Sequence, residues 1–417
     1  YSFMRFCMIT TFYPPYNFGG DGIFVRRLAN ELANRGHEVE IIHCIDAYRL
    51  LAHQEPSESY KDHPNITVHG LSSPFGSLSP IATQQTGRPL FKTAHIRKIL
   101  EKGFDVIHYH NISLVGGPEI LQYGRAVKLY TMHEYWLVCP THMLFKNDRA
   151  PCDRPQCAVC TLIHKRPLQW WRYFRLLSES AKHVDAFIAP SRFSQQKHLE
   201  MGFDGPIVHL PYFHATSEPT GQSREPSSER PYFLFVGRLE KIKGLQTLIP
   251  IFRRQRKARL LVAGAGNYEA ALKRMANDDP NIRFLGHRSG PALNALYREA
   301  VAVIVPSIWF EVFGQVIIEA FVQQTPAIAR NIGEMPAIIA ESGGGFIYDT
   351  ENELVNAMDR LLEDQDLRRE LGRRGYQALQ QKWSADLHIE RYLELVDRVR
   401  SRRQKMAETG ISQRLPA

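Results

Sequence analysis

The sequence contains no hydrophobic run that approaches the roughly 18 apolar residues of a membrane-spanning helix. Its first residues also lack the apolar region and small-residue cleavage site of a secretory signal peptide. These two absences predict a cytoplasmic protein. A motif that reads a nucleic-acid groove is missing too, so the moderate net charge of +9 does not indicate a nucleic-acid partner.

The length of 417 residues exceeds what one hydrophobic core usually serves, so we expect two domains. Short apolar strands alternate with helical patterns in both halves, which is typical of an α/β protein with parallel sheets. Residues 214–231 have scarcely any apolar side chain and predict a linker. We therefore predict domains at 1–213 and 232–383, a last helix at 384–405 and a tail at 406–417.

Candidate binding residues in the first half follow predicted strands. Gly19 and Gly20 lie between the first strand and the first helix, where backbone N–H groups can approach a phosphate. A plain turn is the alternative for such a pair. His110 and His133 stand at the carboxyl ends of two later strands, where open α/β sheets bind ligands, although a lone histidine is more often a structural residue.

The most informative segment of the second half begins at residue 300. An apolar strand ends before Pro306, and helical spacing of apolar residues starts near Gly314, so a helix N-terminus that favours anions lies beside the strand end. Glu311 and Glu319 flank this helix start and suit vicinal hydroxyls better than phosphate. A site that suits both phosphate and sugar hydroxyls indicates a nucleotide sugar as the ligand. Alternatively, both glutamates could be solvated surface residues.

Two basic residues follow the first strand of the second half. Arg238 offers a planar fork for a diphosphate, and Lys243 adds a point charge at the opening of the next helix. Together they could neutralise a leaving diphosphate without a metal ion. In isolation a solvated basic turn would be the preferred explanation of these two residues.

This combination resembles family 4 glycosyltransferases along essentially the whole chain. The matching residues are Gly237-Arg238, Lys243-Gly244, Pro306-Ser307, Glu311-Val312-Phe313-Gly314, Glu319, Gly19-Gly20 and His133. The resemblance implies a GT-B fold, in which two Rossmann-like domains face each other across a cleft and the C-terminal helix crosses back to the N-terminal domain. It also implies that the first domain binds the acceptor and the second the nucleotide sugar.

Residue roles are carried over from the same resemblance. Arg238 and Lys243 would hold the diphosphate, Glu319 the ribose and Glu311 the transferred sugar, while His133 would meet a donor hydroxyl. The remaining contacts would come from backbone near Gly20, Phe313 and Gly314, with the base near Gly264 and His287.

The reaction implied is transfer of a sugar from a UDP- or GDP-linked donor to a hydroxyl of a glycan or lipid-linked saccharide, with retention of configuration. No carboxylate stands out as a covalent nucleophile, so we expect a front-face reaction that needs no metal. A non-catalytic scaffold of the same fold, a sugar-nucleotide epimerase and a phosphorylase are the alternatives. The segment Leu210–His214 departs from the hinge sequence of many relatives.

Four of the six cysteines fall within 22 residues, at Cys139, Cys152, Cys157 and Cys160. In a cytoplasmic protein this spacing favours a structural zinc site over disulfides, with His142 or His164 as substitute ligands. An iron–sulfur cluster and unligated thiols are the alternatives.

Basic and aromatic residues alternate from His164 to Arg175. Such a segment can lie in a membrane interface or stack on nucleic acid, although a helix that packs its aromatic rings into the first domain is the preferred interpretation. If the rings are exposed, the acceptor would be lipid-linked and the protein would associate peripherally with the inner face of the membrane.

Overall fold

The computed structural model describes residues 2–52, 54–57, 59–215 and 230–409. Most of the predicted linker (216–229) and the end of the predicted tail (410–417) lie outside the described residues. The chain divides into two compact units. The first comprises Tyr1–Asp148, Arg154–Pro211 and His388–Ala417, and the second comprises Arg149–Asp153 and Tyr212–Leu387.

The first unit is built on a seven-stranded sheet in which every neighbouring pair is parallel, with strand order β3-β2-β1-β4-β5-β8-β9. Its strands are β1 (Arg5–Ile9), β2 (Glu38–Cys44), β3 (Ile66–Leu71), β4 (Val106–Tyr109), β5 (Val127–Thr131), β8 (Ala186–Ala189) and β9 (Ile207–His209). The two-residue strands β6 (Phe145–Lys146) and β7 (Ala150–Pro151) lie outside this sheet. The central strands β4 and β5 are buried along their whole length, as expected where helices cover a parallel sheet on both faces.

Seven α-helices and three short 3₁₀ helices of the described chain connect these strands. The α-helices are α1 (Gly20–Asn34), α2 (Ile45–Ala52), α3 (Leu78–Thr86), α4 (Thr93–Leu100), α5 (Cys157–Ile163), α6 (Leu176–Ala181) and α7 (Arg192–Glu200). The 3₁₀ helices are Leu90–Lys92, Pro118–Gln122 and Trp170–Tyr173.

The second unit repeats this architecture around a six-stranded sheet of parallel pairs, with strand order β12-β11-β10-β13-β14-β15. Its strands are β10 (Tyr232–Val236), β11 (Arg259–Ala263), β12 (Ile282–Gly286), β13 (Val303–Val305), β14 (Ala327–Arg330) and β15 (Gly345–Tyr348). Its α-helices are α8 (Ile249–Arg254), α9 (Glu269–Ala276), α10 (Gly290–Glu299), α11 (Gln315–Val322), α12 (Met335–Ser342), α13 (Glu351–Glu363) and α14 (Gln365–Lys382), with 3₁₀ helices at Lys241–Lys243 and Leu245–Thr247.

The last helix, α15 (Ala385–Thr409), packs with the first unit from His388 onward. Tyr392 is fully buried, and its hydroxyl lies 3.0 Å from Nδ1 of His108 in β4. Near the end of the helix, Arg403 donates to the carbonyls of Arg125 and Ala126. The helix therefore continues past residue 405, where we expected the tail to begin. In the described part of the chain, none of the helices combines the length and apolar character needed to cross a membrane.

One element of the first unit was mispredicted. Residues 72–89 are rich in proline, serine, glycine and polar side chains, a composition that predicts a loop, yet they contain the nine-residue helix α3. Its buried residues are Ser79, Pro80 and Thr83, whereas Leu78 and Ile81 are exposed. The usual relation between apolar character and burial is reversed here, so hydrophobic periodicity could not reveal the helix.

Candidate active site

Two loops of the second unit pack tightly against each other at the carboxyl end of β13. Gly244 follows Lys243 in a left-handed conformation with a φ of 76°. A Cβ at this position would lie 1.9 Å from the carbonyl oxygen of Pro306. The amide of Ile308 donates to the carbonyl of Ile242 at 2.9 Å. Only glycine allows this approach, which holds Lys243 beside the loop that follows β13.

Lys243 and Glu311 form an ion pair with little solvent exposure, in which Nζ lies 2.7 Å from Oε1. Ser307 donates its hydroxyl to the same carboxylate oxygen at 2.7 Å. Burial raises the pKa of Glu311, but the charge and hydrogen bond of Lys243 and the hydrogen bond of Ser307 outweigh it, so this pKa lies below its usual value. Glu311 is therefore ionised at neutral pH and can accept hydrogen bonds from hydroxyl groups.

Helix α11 begins directly after Gly314, whose φ of 84° again favours glycine. The neighbouring Phe313 is buried and packs its ring against Tyr212, with the ring centroids 5.2 Å apart. Glu319 lies in the second turn of the helix and accepts a hydrogen bond of 2.8 Å from the hydroxyl of Tyr297 in α10. This contact orients the carboxylate that we predicted to bind ribose.

Arg238 lies in the loop that follows β10 and is 56% exposed, with an ion pair of 3.2 Å to Glu240. The backbones at the ends of β10 and β11 are in close contact. A Cβ on Gly264 would lie only 1.8 Å from the carbonyl oxygen of Gly237. His287 is exposed directly after β12. The predicted positions Arg238, Gly264 and His287 therefore follow the ends of three strands of one sheet. Their roles in binding stay predictions.

The predicted residues of the first unit also follow strands. Gly19 and Gly20 are exposed at the start of α1, and Asn17 donates from its side-chain amide to the carbonyl of Gly19. His110 and His133 lie at the ends of β4 and β5, and Nδ1 of His110 is 2.8 Å from Nε2 of His133. Phe24 of α1 packs edge-on against the ring of His133.

Burial keeps these histidines neutral. It lowers the pKa of His133 to about 3, against a smaller opposing effect of Glu134, and lowers the pKa of His388 to about 4. The pKa of His110 is lowered well below its usual value, chiefly by burial and further by His108 and His133. A neutral His133 is restricted to one N–H donor and one acceptor, and the contact with His110 uses its Nε2.

We expect the first unit to lose stability as the pH falls from 7.5 to 5. Unfolded histidine binds a proton near pH 6.5, whereas folded His133 and His388 bind one only near pH 3 and 4, so protons favour the unfolded chain in this range. Each unit of pKa difference contributes about 1.4 kcal/mol per histidine. Urea unfolding at several pH values measures the slope, and His388→Gln should reduce it. Unfolding free energy that rises towards pH 5 would contradict the prediction.

The zinc prediction is not supported. Among the described residues, no group of three or more His, Cys, Asp or Glu side chains is arranged to hold a metal ion. The sulfur of Cys139 lies 3.3 Å from the hydroxyl of Thr141, and that of Cys160 accepts from the amide of Asn147. Among the described residues, the four predicted ligands, Cys139, Cys152, Cys157 and Cys160, take part in no disulfide bond.

The two substitute metal ligands have other partners as well. His142 pairs with Glu134 at 2.6 Å, and Nε2 of His164 donates to the carbonyl of Phe145 at 2.8 Å. Sequence spacing showed that the cysteines are near each other along the chain, but it carried no information about where the sulfur atoms point.

Two residues of the second-unit site carried no role in our sequence prediction. Ser307 was part of the motif without an assigned contact, and Tyr297 lies in a helix whose pattern gave no sign of a buried hydroxyl. A serine four residues before Glu311 is the one signal that could have suggested the first contact.

Comparisons with known proteins agree with this architecture. The family model described as "Glycosyltransferase Family 4" matches residues 18–213, and "Glycosyl transferases group 1" matches residues 218–378. A D-inositol 3-phosphate glycosyltransferase from Corynebacterium glutamicum is 34% identical over 378 residues, which cover 85% of this chain and 86% of that protein.

Solved structures of low identity share the fold. The sucrose-phosphate synthase of Thermosynechococcus elongatus aligns with a TM-score of 0.74 at 20% identity, covering 95% of this chain and 99% of that one. HepE from Anabaena, solved in complex with UDP-glucose, aligns with a TM-score of 0.67 at 16% identity, covering 94% and 99%. Two parallel Rossmann-like sheets, two matching family models and a relative at 34% identity together show that the chain belongs to the family 4 glycosyltransferases of the GT-B fold.

Proposed function

We propose that this glycosyltransferase moves a sugar from a UDP- or GDP-linked donor to a hydroxyl of a glycan or lipid-linked saccharide, with retention of anomeric configuration. The observation that carries the proposal is the buried pair of Lys243 and Glu311 at the carboxyl end of β13, next to the N-terminus of α11. Lys243 provides a cation that can bind phosphate, and Glu311 provides an ionised carboxylate that can bind hydroxyl groups. The two side chains are hydrogen-bonded to each other.

The donor would lie along the strand ends of the second unit. Lys243 has three N–H donors, so it can keep Glu311 as a partner and still contact a phosphate oxygen. Arg238 is exposed in the same loop and can add a bidentate contact to the diphosphate. The Anabaena neighbour that was solved with UDP-glucose supports a nucleoside diphosphate sugar as the donor class.

The sugar and the ribose would contact the two carboxylates and the backbone between them. Glu311, ionised through Lys243 and Ser307, would accept hydrogen bonds from hydroxyls of the transferred sugar. Glu319, oriented by Tyr297, would accept from the ribose. The amides near Gly314 begin a helix and favour negative charge, which suits the donor phosphates.

In the proposed reaction the bond between the anomeric carbon and the diphosphate oxygen breaks, and the acceptor oxygen bonds to that carbon from the same face. The acceptor proton passes to the departing diphosphate oxygen. Arg238 and Lys243 stabilise the charge that develops there, which makes a catalytic metal unnecessary. His133, neutral at physiological pH, would contact a donor hydroxyl rather than act as an acid.

A thermal-shift screen against UDP, GDP, ADP and their sugar conjugates tests the donor site. A nucleotide at 100 times its dissociation constant should add about 2.7 kcal/mol to the unfolding free energy. Glu319→Gln should weaken this stabilisation, whereas the control Glu299→Gln, at an exposed position of α10, should keep it. If none of the nucleotides stabilises the wild-type protein, the proposed donor site is wrong.

A further inference from the structure

We propose that the first unit carries a surface that docks on an anionic lipid membrane. This docking surface consists of the exposed apolar side chains of residues 75–91 and 159–174. It extends the proposed function, since a lipid-linked acceptor would be presented at such a membrane, but its physical basis does not depend on that function.

The outer face of α3 is apolar and its inner face is polar. Leu78 and Ile81 are 62% and 41% exposed, whereas Ser79 and Thr83 are fully buried. The buried Lys92 donates to the hydroxyls of Ser79 at 2.8 Å and Thr83 at 3.0 Å. A helix that contacts only water and its own core would place these residues the other way round, because apolar burial is what stabilises it.

The other segments of the docking surface show the same reversal. Phe91 is 48% exposed while the adjacent Lys92 is buried, and the ring of Phe91 stacks on that of Phe75 with centroids 4.3 Å apart. Trp170 is 59% exposed while the adjacent Gln169 is buried. Phe174, at 74%, is the most exposed of the large apolar side chains in the described part of the chain.

The two segments are joined in space. The indole N–H of Trp171 donates to the carbonyl of Gln84 at 3.0 Å, and the side chain of Gln84 donates to the carbonyl of Pro167 at 3.2 Å. The buried Trp171 thus holds the end of α3 against the 3₁₀ helix Trp170–Tyr173, and the preferred interpretation, rings packed into the first domain, holds for Trp171 but not for Trp170, Tyr173 or Phe174.

The concentration of apolar side chains is unusual for this chain. Of the 17 large apolar side chains that are exposed among the described residues, 11 lie in these two segments. Exposed apolar side chains concentrated in this way indicate a binding surface in soluble proteins. Tryptophan and tyrosine are moreover the side chains that prefer the boundary between lipid and water.

The basic character of the two segments favours an anionic lipid as the occupant. The sequence contains neither Asp nor Glu from residue 63 to residue 100, nor from residue 154 to residue 178. Lys98, Lys165 and Arg175 are exposed within these two stretches, where Arg175 pairs with Glu179 at 2.8 Å and Arg88 with Glu119 at 3.7 Å. Cations around a belt of aromatic and aliphatic side chains match an anionic membrane interface, where each basic residue near the surface adds attraction.

Flotation of the full chain with lipid vesicles tests this proposal. We expect binding to vesicles of phosphatidylcholine with about a third phosphatidylglycerol to exceed binding to pure phosphatidylcholine at least tenfold, and to weaken as salt screens the charges. The triple variant Leu78→Gln, Phe91→Gln, Phe174→Gln should lose at least tenfold of this binding. The control triple variant Val68→Gln, Leu199→Gln, Met275→Gln changes similarly apolar and partly exposed positions and should bind like the wild type.

Two results would overturn the proposal. One is equal binding of the wild type and the first triple variant to anionic vesicles. The other is a wild-type dimer in gel filtration that the same variant converts to a monomer without any vesicle binding, because a second copy would then be the occupant. Stabilisation of the triple variant by a nucleotide would show that the variant is folded. This measurement also distinguishes a wrong membrane proposal from a wrong donor-site proposal.

Discussion

Replacing Arg238 with alanine is expected to lower the turnover number about 100-fold or more, the scale seen when a main donor to a developing oxyanion is removed. The same change should leave the free energy of unfolding nearly unaltered. Arg238 is 56% exposed and pairs with Glu240 at 3.2 Å, and an ion pair at such a surface contributes between about 0 and 1 kcal/mol. Steady-state release of the nucleoside diphosphate, together with urea unfolding, measures both quantities.

The matched control is Arg254→Ala. Arg254 is 60% exposed and also pairs with a glutamate, Glu351, in the second unit, but it lies at the end of α8. Its loss should leave turnover within about twofold, since surface changes away from a site are usually near neutral. Unchanged turnover in Arg238→Ala, with this control behaving as expected, would remove Arg238 from the proposed mechanism.

Replacing Lys243 with methionine should both abolish most activity and destabilise the second unit by about 3–5 kcal/mol, the range found when one member of a buried ion pair is removed. Glu311 is 12% exposed in its side chain, and the neutral hydroxyl of Ser307, which also contacts it, cannot neutralise its charge. Denaturant unfolding gives the stability, and nucleotide titration gives the loss of donor affinity.

The double variant Lys243→Met, Glu311→Gln separates folding from chemistry. It removes the uncompensated charge, so most of the lost stability should return while activity stays low. The pH dependence gives an independent check. The pKa of Glu311 is lowered in the folded protein, so its contribution to stability is present above the unfolded pKa and is lost as the pH falls through the folded one. If Lys243→Met alone is as stable as the wild type, the proposed stabilising ion pair of Lys243 and Glu311 is wrong.

The strand–loop–helix unit from residue 300 to residue 322 could be predicted from the sequence because local chemistry specifies each part. A β-branched apolar run ends at Pro306, and the spacing of apolar residues changes to that of a helix at Gly314. Placing Glu311, Arg238 and Lys243 at strand ends followed from the alternation of elements alone. Their mutual distances did not, because those depend on which loops pack together.

Three features of the structure could not be predicted from the sequence, for physical reasons. Hydrophobic periodicity does not reveal helix α3, because its polar residues face a buried lysine. The hydroxyls of Ser307 and Tyr297 reach their carboxylates only through tertiary packing. The cysteine spacing predicted a zinc site that the orientation of the side chains does not support, because a metal needs converging sulfur atoms rather than neighbouring residues.

The last helix determines when the first unit can be completed during translation. Residues 388–409 of the last helix belong to a unit whose sheet is built from residues before 212, so the ribosome must first synthesise the whole second unit. Until then, the surface against which Tyr392 packs, at Phe6 and His108, is not covered. The nascent first unit therefore exposes apolar surface for the time needed to add roughly 180 residues, about 10–40 s at ordinary elongation rates, and this is the interval in which chaperones would be needed.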